Sequence, residues 1–273
     1  MKYDISKLEK PEVFSKGDLF LWSNEYIASS VLKKHLDMSI DCGSRKFTSI
    51  KIIVDWICQK FPDFKRVVDL GCGPGLYGNA FSFKGKDYIG IDISKYQIEF
   101  AKRHAIHKER QKYYNRNLLS WNIPEKVDII LMLYGVYSFF SPDERTQILK
   151  NIKRQLKNTG VVIVEVFTKN HYKNREDSRD WEFVQEDGFW DKHPYLELNA
   201  FYNYSGEEVV LIQAARINDE ISVWNSWIQL YDIDKLKSEF EKEGFTRFEI
   251  FGELFNENIN NENEILFMCA YLE

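Results

Sequence analysis

The residues best able to do chemistry stand together in Val67-Val68-Asp69-Leu70-Gly71-Cys72-Gly73-Pro74-Gly75, with Asp92 following further along. A β-branched run ends in an acid and then in a glycine series. Glycines at such a turn let the backbone bend tightly and come close to a ligand, because no Cβ intervenes. An acid at the carboxyl end of the next strand meets the two hydroxyls of a bound ribose. The pattern therefore points to a nucleoside-bearing cofactor. Gly73-Pro74-Gly75-Leu76-Tyr77-Gly78 also satisfies the dinucleotide pattern GxGxxG, so the glycines alone leave a nicotinamide cofactor open. Two features favour a sulfonium amino acid: the glycines begin at Gly71, and Asp69 stands just before them. A carboxylate there repels a pyrophosphate and attracts an ammonium group.

The elements that must hold these residues alternate in type. Arg66–Leu70 reads as a first parallel strand, 77–83 as a short helix and 87–91 as a second strand. Ser94 is a good N-cap for a helix over 96–107, since its hydroxyl can accept an orphan backbone N–H. Strands are expected at 112–115, 127–134 and 161–167, with a helix over 144–156 that starts after Pro142 and stops at Gly160. Strands alternating with helices imply a parallel sheet covered on both faces. The rhythm breaks between 173 and 231, where Tyr195–Tyr204, 208–217 and 221–231 read as successive antiparallel strands joined by turns. It resumes with a helix over 233–243 and strands at 248–251 and 265–272. Two helices, 24–36 and Phe47–Lys60, precede the sheet. The expected organisation is an N-terminal helical cap over 1–60, an α/β core over 61–172 and 232–273, and an antiparallel lid over 173–231.

Composition bounds the function. The chain has 273 residues with 37 basic and 42 acidic side chains, a net charge of −5, and its charges are mixed throughout. Proteins that track a phosphate backbone concentrate positive charge, so nucleic acid is not the expected partner. The basic stretch 102–112 has helical spacing and reads as a solvated face. Cys42, Cys58, Cys72 and Cys269 form no CxxC pair, which suits free thiols in a reducing cytoplasm and argues against a metal site. The start of the chain lacks the apolar stretch of a signal peptide. The longest nearly uncharged run, 127–141, is too short to cross a bilayer, so no membrane partner is expected.

The segments DLGCGPGLY at 69–77 and GIDIS at 90–94 resemble those of class I S-adenosylmethionine-dependent methyltransferases. The similarity extends from about Trp22 to Leu272. It is nearest to poorly characterised bacterial small-molecule methyltransferases that carry WxNEYI near the start (Trp22 to Ile27 here) and a Trp-rich insertion. The resemblance implies a Rossmann-like seven-stranded, mostly parallel sheet with helices on both faces and a last strand running antiparallel. It also implies that Asp69, Gly71, Cys72, Gly73 and Gly75 hold the methionine part of the cofactor and Asp92 the ribose. Ile93 would pack on the adenine, with Asn117 and Leu118 along its edge. Arg45 is the candidate partner of the cofactor carboxylate, because a guanidinium grips a carboxylate with two hydrogen bonds. Tyr26 and Trp22 are expected to shape the same entrance.

Methyl transfer from a sulfonium is a direct displacement, and much of its rate comes from alignment and exclusion of water. A fitted pocket is required, with a base only where the acceptor arrives protonated. The acceptor is expected above the carboxyl ends of the fourth and fifth strands, near Tyr134, Tyr137 and His171. Related enzymes often carry an acid where this chain has Val136, which leaves His171 as the candidate base. No Asn- or Asp-Pro-Pro-aromatic sequence follows the fourth strand, which disfavours a nucleobase acceptor. The chain holds 20 Phe, 15 Tyr and 7 Trp, and Trp181, Trp190, Trp224 and Trp227 of the insertion are expected to line an apolar or cation-binding pocket. A nicotinamide-dependent oxidoreductase and a non-catalytic S-adenosylmethionine-binding protein are the competing readings. Acceptor identity and oligomeric state are not legible.

Overall fold

The computed structural model describes residues 3–22, 24–37, 43–260 and 262–272, so Cys42 lies outside the described residues. Two sheets organise the chain. The larger holds β1 (Arg66–Leu70), β2 (Asp87–Asp92), β3 (Gln111–Asn115), β4 (Val127–Met132), β5 (Leu156–Phe167), β10 (Arg247–Phe251) and β11 (Ile265–Tyr271). Their order is β10-β11-β5-β4-β1-β2-β3, parallel except that β11 runs antiparallel to both β5 and β10. The expected Rossmann-like sheet is therefore present. Its chain order reverses between β1 and β4, and the loops leaving those strands open onto one crevice. Open α/β sheets bind ligands at such a switch point.

Alternation within each strand sorts the core into two layers. Val67 faces Ile50, Ile53 and Ile57 of α2 (Phe47–Lys60), whereas Val68 faces Ile148 and Ile152 of α5 (Pro142–Gln155) and Phe240 of α6 (Ile233–Lys242). Strands buried on both faces read as continuous apolar runs, as Val127–Met132 does. The helices start where side chains satisfy orphan N–H groups. Asn24 caps α1 (Glu25–Leu36), and Ser94 caps α4 (Lys95–His104). Ser141 and Glu144 form a capping box on α5 with Pro142 in the first turn. Near the glycine loop runs α3 (Leu76–Phe83). Two boundaries differ by three residues or more from the sequence reading. Helix α5 passes straight into β5 at Leu156, so Gly160 lies within the strand, where a Cβ would meet the Leu156 side chain at 2.7 Å. Helix α4 stops at His104.

The insertion is a second antiparallel sheet, ordered β6 (Ser178–Val184), β7 (Tyr195–Tyr204), β8 (Val209–Ile217) and β9 (Ile221–Gln229). It has four strands where three were expected. Strand β6 was illegible because it is an edge strand exposed at nearly every position, so no buried face imprints a pattern on it. Its Trp181 and Phe183 are 71% and 58% exposed, which corrects the expectation that Trp181 lines a pocket.

One face of this sheet packs on the core through two clusters. Tyr195, Ala214 and Trp224 meet Ile27 and Val31 of α1, while Phe201, Val210 and Ile228 meet Phe167 and Tyr172. The opposite face is crossed by the N-terminal segment 3–19. Leu19 N–H donates to Val223 O at 2.9 Å, and Tyr3 O–H to Asn218 O at 3.0 Å. Gly17 permits this approach, since a Cβ there would stand 2.1 Å from Val223 O. Among the described residues no helix is long and apolar enough to cross a membrane.

Candidate active site

The glycine loop leaves β1 through three left-handed residues, Gly71 (φ 80°), Gly73 (φ 50°) and Gly75 (φ 77°). Each φ is costly for a side chain. Space forbids one as well: a Cβ on Gly75 would lie 2.7 Å from the Tyr113 ring, and one on Gly71 would lie 2.9 Å from Val136. The loop is tied to β2 at several points. Gly71 N–H and Cys72 N–H donate to Ile91 O at 2.8 and 3.2 Å, and Gly73 N–H donates to Asp92 Oδ2 at 3.0 Å. Asp92 Oδ1 accepts from Ser94 N–H at 2.7 Å. An ionised carboxylate offers about four acceptor sites. The Gly73 bond braces the glycine loop and the Ser94 bond the turn after β2, which leaves acceptor capacity for a ribose hydroxyl. Burial raises the Asp92 carboxyl above its usual range, with the three backbone N–H groups around it opposing that shift.

Asp69 lies beneath the turn, 3% exposed, and accepts from the Tyr88 hydroxyl at 2.5 Å. Burial pushes its carboxyl up to about 7. The same burial drives the Cys72 thiol well above its ordinary value, so this cysteine is packing rather than a nucleophile. After β2, Ile93 is 42% exposed at the mouth of the crevice. Asn115, which sequence reasoning passed over, holds that turn by donating to Asp92 O and Ile93 O at 3.1 and 2.7 Å. Asn117 is exposed and accepts from Leu119 N–H at 2.8 Å, while Leu118 is buried in the core below. A loop with no room for Cβ atoms, an acid with spare acceptors and an exposed apolar residue beside it together fit an adenosyl amino acid.

Arg45 occupies a different place from the one expected. It is 4% exposed and pairs with the buried Glu165 of β5, and its other terminal nitrogen lies 3.4 Å from Glu253. Its terminal nitrogens are thus occupied by carboxylates of the protein. The second Glu165 oxygen accepts from Tyr134 N–H at 2.8 Å. This bond pins an unusual turn, since Tyr134 (φ 56°) and Gly135 (φ 70°) are both left-handed. Gly135 is needed there because a Cβ would stand 2.1 Å from the Phe167 ring. Glu165 shapes the loop after β4, and only the fold brings Arg45 to it.

The three candidate catalytic residues separate. The Tyr134 ring lies 5.8 Å from the Arg45 guanidinium, at the carboxyl ends of β4 and β5. His171 lies nearby on the short turn Lys169–Tyr172, with its ring 4.6 Å from Phe167 and its Nδ1 3.3 Å from Glu264. Tyr137 points away: it is fully buried, packs on Phe240 and donates to Glu239 at 2.8 Å. Glu239 also accepts from Arg145 at 2.8 Å and from Tyr231, so Tyr137 belongs to a structural network.

The insertion tryptophans separate likewise. Trp227 lies on the far face of the second sheet, packed on Phe14 and donating to Ser15 O at 2.7 Å. Trp190 is buried against Trp224, with ring centroids 5.5 Å apart. Trp181 faces away on the outer edge strand. Only Trp224 is both half-buried and on the core-facing side. Tyr26 donates to Gly188 O at 2.7 Å and so ties α1 to the insertion, while Trp22 is 43% exposed.

Comparison with known proteins agrees with this geometry. Residues 67–160 match a family model described as a methyltransferase domain. Over 121 residues the chain is 25% identical to a ubiquinone biosynthesis O-methyltransferase of Pseudomonas putida, an alignment covering 43% of this chain and 51% of that protein. The chain thus spans about half the length of that curated relative. Among solved structures, an S-adenosylmethionine-dependent methyltransferase from Clostridium acetobutylicum superposes with a TM-score of 0.67 at 14% identity, covering 91% of this chain and 99% of that one. The sugar N-methyltransferase KedS8 from Streptoalloteichus gives a TM-score of 0.60 at 11% identity, covering 97% and 99%. Residues 67–160 thus match a methyltransferase domain by sequence, and the chain shares its fold with S-adenosylmethionine-dependent methyltransferases.

Proposed function

We propose that the chain methylates an amino group on a small polar molecule held between the second sheet and the carboxyl ends of β4 and β5. The observation carrying this reading is the centre of the sheet's core-facing side. Asn199, Ala214 and Trp224 lie in register there, followed by Phe201, Ile212 and Ser226. The clusters on either side are buried, yet Asn199, Ile212, Trp224 and Ser226 are only half-buried. This strip pairs hydrogen-bonding groups with one aromatic ring, and ring faces attract ammonium groups.

Bound S-adenosylmethionine supplies an electrophilic methyl carbon. The chain's residues contribute alignment and exclusion of water. In this reading Asp92 holds the ribose hydroxyls, Ile93 lies under the adenine, Asp69 attracts the α-ammonium, and Tyr134 forms the wall beside the methyl group. His171, close to Glu264, takes the proton from an amine that arrives protonated. That the neighbour KedS8 is a sugar N-methyltransferase supports nitrogen as the acceptor atom. The match to an O-methyltransferase keeps a hydroxyl acceptor as the second reading. A cytoplasmic setting is part of the proposal, supported by the free thiols of Cys58, Cys72 and Cys269.

The test uses the purified chain with methyl-labelled S-adenosylmethionine and a panel of amino sugars, simple amines, phenols and alcohols. Label is expected on the amines. Label on hydroxyls alone moves the assignment to O-methylation, and binding of NADH without S-adenosylhomocysteine overturns it.

A further inference from the structure

We propose that His35, at the end of α1, is a cofactor-contacting residue that closes the glycine loop from above. The inference rests on the loop being the S-adenosylmethionine site. The imidazole lies between two glycines from separate segments. A Cβ built on Gly73 would stand 3.4 Å from Cε1 and 3.6 Å from Nδ1, and one on Gly43 would stand 3.7 Å from Cγ. His35 therefore sits directly on the loop whose Gly73 N–H reaches Asp92.

The ring is held in place: Nδ1 is 2.7 Å from Ser44 Oγ. With Nδ1 engaged, Nε2 makes no hydrogen bond to the described residues and is the nitrogen left for a ligand. Burial lowers the imidazole to about 4, so the ring is neutral at physiological pH. Neutrality matters here. A sulfonium and an α-ammonium are both cationic, and a second cation at van der Waals distance from the loop would repel them. A neutral imidazole offers a hydrogen bond and an apolar edge without that penalty.

This role also accounts for two sequence features. Gly73 brings its backbone within van der Waals distance of the His35 ring, and Ser44 carries the hydroxyl that orients that ring. The helical cap thereby acquires a defined contact with the ligand site rather than only a packing role.

Calorimetric titration of the full chain with S-adenosylhomocysteine and S-adenosylmethionine tests the proposal, with thermal melts as folding control. Wild-type binding of either ligand tests the underlying site. His35→Ala is expected to weaken both ligands at least about tenfold, whereas His35→Gln, which keeps a neutral donor and acceptor, stays within about threefold of wild type. His35→Lys is expected to penalise the sulfonium ligand more than its neutral-sulfur analogue. Folded His35→Ala and His35→Lys variants that bind both ligands as wild type does would overturn the proposal and leave the cofactor assignment standing. Loss of binding in the wild type would overturn both.

Discussion

Asp69 gives the most quantitative test of the site. Its carboxyl is buried at 3% exposure with one hydrogen bond from Tyr88, and burial pushes it up to about 7. A displacement of about three pKa units corresponds to roughly 4 kcal/mol of disfavoured ionisation. The carboxyl is therefore about 90% protonated at pH 6 and about 10% at pH 8. An α-ammonium placed within about 4–6 Å lowers a carboxyl by about 1–3 units, so ligand binding should drive the proton off. We expect S-adenosylhomocysteine to release roughly 0.8 proton at pH 6 and about 0.1 at pH 8. Titration calorimetry in two buffers of different ionisation enthalpy reads this number directly. Asp69→Asn should abolish the release, which separates Asp69 from Asp92, whose carboxyl burial also raises. Release below about 0.2 proton at pH 6, or the same release in Asp69→Asn, refutes the contact between Asp69 and the ammonium.

The same carboxyl sets a stability slope. Its folded pKa is raised, so its contribution is complete below about pH 4 and is lost as pH rises towards 7; the ligand-free chain should weaken over that window and Asp69→Asn should flatten the trend, as urea melts would show. Glu165→Gln leaves the buried Arg45 guanidinium with only the more distant, exposed Glu253 as countercharge and should cost about 3–5 kcal/mol, while replacing both with Met and Leu recovers most of it; a single-variant loss under about 1 kcal/mol would show that the pair does not brace the Tyr134 turn. Trp227→Ala removes a packed ring and its bond to Ser15 and should lower stability by about 3–5 kcal/mol. Trp224→Ala should instead reduce acceptor turnover with S-adenosylhomocysteine affinity kept, and equal effects of the two variants would place the acceptor elsewhere.

Much of the cofactor side was legible. The order β-branched run, acid, glycines and then a distant acid fixes local backbone conformation and charge, and both are properties of contiguous residues. Positive φ at Gly71, Gly73 and Gly75 is a demand that only glycine meets cheaply, so the sequence announces it. The parallel sheet was legible for a related reason: strands buried on both faces imprint continuous apolar runs. Edge strand β6 left no such imprint, and α5 concealed its junction with β5 because Gly160 is tolerated within a strand.

The acceptor side was decided by tertiary structure. Tyr137 and Tyr134 are three positions apart, yet one is sealed against Phe240 and the other stands by Arg45, because the left-handed turn between them sends their side chains apart. Trp224 and Trp227 differ by an odd number of positions in one strand, so they lie on opposite faces of the second sheet. Which face meets the core depends on α1 and the N-terminal segment, not on the strand itself. Arg45 reached Glu165 rather than open solvent because 120 residues of chain fold back between them. The sequence by itself determined the glycine turn and the acids that bracket it, through backbone demands and charge confined to a short segment. The ion pair, the buried tyrosine and the half-buried strip on the second sheet arise from long-range packing, which local residue types do not encode.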